Sequence, residues 1–116
     1  MSVESVIYDT LKGLVSNRVF PDVAPKDTIT PYITYQQVGG AAINFLKQEV
    51  PSKMNSRFQI NVWSKTRLEA KAIAELASGA LRLETQLQTT VIGEGTATYD
   101  ELTTLRGTRQ DFSFWF

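Results

Sequence analysis

"RFQINVWSKTRLEAKAIAELA", residues 57–77, joins two hydrophobic periods in one short run. Phe58, Ile60 and Val62 alternate with Arg57, Gln59, Asn61 and Trp63, which is the period of a strand with one buried face. A few residues later the apolar spacing becomes helical. Thr66-Arg67-Leu68-Glu69 has the spacing of a capping box, in which the Thr66 hydroxyl accepts the N–H of Glu69 and the Glu69 carboxylate reaches back to the N–H of Thr66. A helix is therefore expected to begin near Arg67. Leu68, Ile73, Leu76, Ala80 and Leu83, with Ala72 and Ala77, would form its apolar face, and alanine there permits close approach to a sheet. Nothing in the run is reactive, and the capping duty of Glu69 counts against a catalytic one.

Upstream, Val3, Val6, Ile7, Leu11, Leu14 and Val15 predict a helix from about Val3 to Val15, capped by Ser2 and stopped by Asn17. Pro21, Pro25 and Pro31 then exclude a helix and predict an extended connector. A strand from Tyr32 to about Val38 would turn Ile33 and Tyr35 to the core, with Tyr32, Thr34 and Gln36 opposite. Residues 39–55 are long for a connection, and they carry Ile43, Phe45, Leu46, Val50 and Met54. They are read either as a protruding hairpin that packs on another chain or as a loop folded over its own core. The hairpin is preferred.

Downstream, "TTVIGEGTAT" is a strand broken by Gly93 and Gly95, which predicts a bulge. Gly93-Glu94-Gly95 is not a dinucleotide fingerprint, because no helix follows it. "RGTRQDFSFWF" closes the chain with Phe112, Phe114 and Phe116 on one face and Arg109, Asp111, Ser113 and Trp115 on the other. The expected order is α-β-β-α-β-β. This is an α+β fold, one domain over residues 1–116, with both helices on one face of an antiparallel four-stranded sheet. Its open face would be polar apart from Trp63 and Trp115. Those rings are either partner anchors or lie over a strand end or under the long loop.

The chain contains no Cys and no His, so Ser-His-Asp and Cys-His catalysis cannot be built within it. Asp100 and Glu101 are neighbours, and in an extended chain they point apart, a poor metal or acid/base pair. No enzyme activity and no cofactor is expected. No segment approaches the roughly 20 apolar residues of a membrane span, and the first residues lack a secretory pattern, so a cytoplasmic location is expected. Twelve basic residues balance twelve acidic ones, which argues against general nucleic-acid binding.

The balance is uneven along the chain. Lys47, Lys53, Arg57, Lys65, Arg67 and Lys71 face only Glu49 and Glu69 within their stretch, whereas Glu84, Glu94, Asp100 and Glu101 have no basic residue among them. These are either two solvated surfaces or the opposite sides of a subunit that meets copies of itself head to tail.

Taken in order, "VFPDVAPKDTITPYITYQQV", a variable loop and "SRFQINVWSKTRLEAKAIAELA" resemble the phage tail completion, or tail terminator, family. The resemblance runs over nearly the whole chain and departs mainly at residues 40–55. It implies a structural subunit, monomeric or ring-forming in isolation, that assembles as a sixfold ring on the tail tube. Its partners would be copies of itself, the tail tube protein and a head-completion or connector protein, first in a host bacterial cytoplasm and then in the virion neck. A head-closure ring or a minor tube subunit is the nearest alternative. A small carboxylate enzyme or a single-strand nucleic-acid binder stands further off. The implied ring needs two unlike surfaces. The residues proposed for them, or for a partner, are Phe45, Leu46, Lys47, Lys53, Arg57, Trp63, Lys65, Arg67, Lys71, Glu84, Glu94, Asp100, Glu101 and Trp115.

Overall fold

A computed structural model describes residues 2–116. Helix α1 spans Val3–Leu11 and continues as a single 3-10 turn, Lys12–Leu14. The strands are β1 (Val19–Pro21), β2 (Tyr32–Gln37), β3 (Asn55–Ser64), β4 (Thr90–Asp100) and β5 (Leu105–Trp115), with α2 (Arg67–Leu83) between β3 and β4. The sheet order is β1-β2-β3-β5-β4; β1 runs parallel to β2 and the remaining pairs are antiparallel.

The sheet is thus five-stranded and mixed, not the antiparallel four-stranded sheet that the periodicity predicts. The missing strand lies inside the proline-rich connector. Three residues are too few to show alternation, and Pro21 is tolerated because β1 is an edge strand. The Ile33 N–H reaches the Arg18 carbonyl at 2.9 Å and the Asp22 N–H reaches that of Tyr35 at 2.8 Å, which ties β1 to β2 at both ends.

Phe58, Ile60 and Val62 of β3, Ile33 of β2 and Phe112 and Phe114 of β5 form the buried face of the sheet. Against them pack Val6, Ile7 and Leu11 of α1 and Ile73, Ala77 and Leu81 of α2. The Phe58 ring lies 5.8 Å from that of Phe114 and 6.3 Å from that of Tyr35, centroid to centroid. Ser2 caps α1 by accepting the Ser5 N–H at 3.0 Å. Past the 3-10 turn, Ser16 and Asn17 take positive φ, and the Asn17 N–H returns to the Lys12 carbonyl.

The second helix begins where the capping box places it, and Thr66 Oγ1 accepts the Glu69 N–H at 3.2 Å. The reciprocal arm differs. The Glu69 carboxylate takes the hydroxyl of Ser64, and Ser64 Oγ in turn accepts the Thr66 N–H at 3.3 Å. Ser64 is fully buried at the end of β3 and stands between the two groups, so the cap is relayed through it. Replacing Thr66 by alanine is expected to cost about 1 kcal/mol, read as a lower urea midpoint with an unchanged slope.

The apolar face of α2 also differs from expectation. Ala70, Ile73, Ala77 and Leu81 are buried, while Leu68, Leu76 and Leu83 are exposed. Two apolar stripes lie side by side on this helix, and linear spacing merges them into one.

Residues 38–54 form neither a hairpin nor a cover for the core. β2 stops at Gln37 and β3 starts at Asn55, and the intervening backbone is irregular. The root of this loop is clamped. The Val38 N–H donates to the Arg57 carbonyl, the Arg57 N–H to that of Gly39, and the Ala41 N–H to Asn55 Oδ1 at 2.7 Å. Gly40 has φ +151°, and a side chain there would strike the Asn55 carbonyl. Past the root, Phe45, Leu46 and Val50 stand in solvent.

Candidate assembly surfaces

Most of the expected contact residues fall on three surfaces of the fold, and Lys65, Glu84 and Trp115 lie outside them. The loop carries Phe45, Leu46, Lys47 and Lys53, all exposed.

A groove of about 530 Å³ runs between α2 and the hairpin of β4 and β5. Arg67, Lys71 and Glu75 of α2 line one wall, and Glu94 and Gly95 of β4 line the other. Glu94 is placed there by the bulge. The β4–β5 register shifts between Ile92 and Thr96, and the Gln110 side chain bonds the Gly93 carbonyl at 3.0 Å across the gap. Arg67 and Lys71 therefore share a groove with Glu94. At this groove the basic and acidic stretches of the chain meet, because α2 folds back beside β4. Lys65 is exposed in the turn before α2.

The open face of the sheet forms a second concavity, of about 490 Å³, lined by residues that include Gln59, Asn61, Trp63, Asp100 and Arg109. Arg57 also stands on this face, paired with Asp111 of the neighbouring strand at 2.6 Å and 3.0 Å. Its charge is thus spent within the chain, in a partly exposed pair worth about 1 kcal/mol or less. The Trp63 ring covers Gly107 of β5, where a methyl group would stand 2.7 Å from a ring carbon. Thr98 Oγ1, at the same spot, is buried without a hydrogen-bond partner. Burial holds the phenol of Tyr32, another wall of this cleft, above the usual tyrosine value, and the Asp100 carboxylate adds to the shift.

Asp100 also organises the turn after β4, accepting the Leu102 N–H at 3.1 Å and the Thr103 hydroxyl at 2.9 Å. Glu101 is exposed in that turn. Glu84 ends α2 and accepts the Gln86 N–H. Trp115 is half-buried at the end of β5, where its backbone N–H donates to the Leu87 carbonyl at 2.7 Å. The geometry brings Arg67, Lys71 and Glu94 together, and Trp63 with Asp100. Phe45 and Leu46 remain apart on the loop. The outward stripe of α2, with Leu68, Leu76 and Leu83, is a further surface that linear spacing does not separate from the buried one. Its signal was the excess of leucines, more than one buried helix face can hold.

Comparison with known proteins follows the same outline. The family model of tail completion protein gp17 matches residues 8–116. A chain in the structure of the virion of a native gene transfer agent particle superposes with a TM-score of 0.65 at 18% identity, covering 98% of this chain and 93% of its own. A second solved structure superposes with a TM-score of 0.54 at 16% identity, covering 96% and 87% respectively. No curated protein matches in sequence.

Proposed function

This chain belongs to the tail completion protein gp17 family, a family of phage tail structural proteins, and from that premise we propose that it closes the tail tube as a sixfold ring. In this reading the ring sits on the last tube ring, stops further addition of tube subunits and presents the surface that docks to the head. Its partners are copies of itself, the tube protein and a head-completion or connector protein, and it is built in the host cytoplasm before entering the virion. The work is done by shape and surface, without catalysis.

The observation that carries the reading is the extent of the family match, from within α1 to the last residue. The likeness to a virion chain supports the fold. Large apolar side chains left in solvent on the loop and on α2 support association.

The test adds the purified chain to polymerising tube subunits. Tubes of limited length with a sixfold cap in end-on electron micrographs are the expected result. Unlimited tube growth with bare ends would sink the terminator reading. A ring that binds the head connector and not the tube would transfer the chain to the head-closure role.

A further inference from the structure

We propose that the loop of residues 39–54 on one copy lies along the outward stripe of α2 on the next copy. The proposal rests on the ring reading for its setting and names the two unlike surfaces that such a ring needs.

Leu68, Ala72 and Leu76 follow one another at intervals of four residues, and Leu83 continues the line. The three leucines are 83%, 60% and 83% exposed. At about 1.5 Å per residue this stripe is about 22 Å long. A helix of a soluble chain that leaves such a stripe uncovered has a second apolar face to fill.

The loop matches it in length and chemistry. Its two ends are held together at Asn55 and Arg57, so about half of its residues set its reach. At about 3.3 Å per residue, eight residues give about 26 Å. Phe45, Leu46 and Val50 are 50%, 109% and 92% exposed, so the loop does not cover the helix of its own chain. Charges of both signs flank both partners, Lys47 and Glu49 on the loop and Lys71 and Glu75 on the helix. Each partner can thus offset the charge of the other.

The occupant is another copy because each chain carries one loop and one stripe. A contact between unlike patches of identical chains covers both in every subunit once the cycle closes. A tube or head protein seated on the helix would leave the loop bare.

The chain has no cysteine, so introduced pairs report without background. Leu46→Cys and Leu76→Cys single variants, mixed and oxidised at high concentration, are expected to cross-link well above a Leu46→Cys and Lys26→Cys control. Yield no higher than that control overturns the docking, and so does a cross-linked monomer in the double variant. Leu76→Asp, at an exposed position, should leave the melting curve unchanged and weaken association by about tenfold or more. Undiminished association would also overturn the docking. A double variant whose ladder never ends in a closed species would keep the docking and remove the ring. Wild-type rings without the Leu46–Leu76 cross-link would keep the ring and remove the docking.

Discussion

Phe58→Ala is expected to destabilise the chain by about 3–5 kcal/mol. Phe58 is wholly buried at the middle of β3, between the rings of Tyr35 and Phe114 and opposite Phe112 in the ladder. Truncation removes the transfer free energy of the ring and leaves a cavity. Four aromatic rings in one rigid layer cannot all move inward to refill it. Set against the roughly 5–15 kcal/mol typical of a domain, that is about a fifth of the margin at the least. Urea denaturation reads the loss as a lower midpoint at constant slope. A loss below about 1 kcal/mol would show that the aromatic layer of β3 and β5 is not the centre of the core.

Gly107→Ala is expected to cost about 1–3 kcal/mol, from an added methyl with no room. The new carbon would stand 2.7–2.8 Å from two Trp63 ring atoms and 2.7 Å from Thr98 Oγ1. The backbone of β5 is held on both sides by β3 and β4, so the tryptophan must yield and lift away from the sheet. Since the chain has two tryptophans, the experiment uses a Trp115→Phe background, which leaves Trp63 as the sole reporter. Its fluorescence should shift to the red and the denaturation midpoint should fall. An unchanged spectrum and midpoint would mean that Trp63 does not rest on Gly107.

Much of this fold is legible in the sequence because strong, local patterns agree with one another. The alternation of Phe58, Ile60 and Val62 and of Phe112 and Phe114 marks the buried face of the two central strands. Thr66 and Glu69 place the start of α2. The Gly93–Gly95 break becomes the β4 bulge.

What escapes is non-local. β1 exists because β2 offers it a free edge, and nothing inside Val19–Pro21 announces pairing with Ile33 to Tyr35. The Ser64 relay escapes for a similar reason, since it depends on a buried strand end meeting the first turn of a helix. Which of the candidate contact residues share a surface is not legible in the sequence. Arg57 looks free in the sequence and is paired with Asp111, a residue 54 positions away. Arg67 and Lys71 read as one side of the molecule and share a groove with Glu94.

Both borders of the sheet are poor templates for another strand. On one side β1 offers three residues and ends in Pro21, which has no N–H to give. On the other, β4 is long, but its ladder is interrupted between Ile92 and Thr96. Copies of the chain are thus discouraged from adding strand to strand into open fibres. Contacts between copies are thereby left to side chains, as on the loop and the outward face of α2, rather than to open backbone edges.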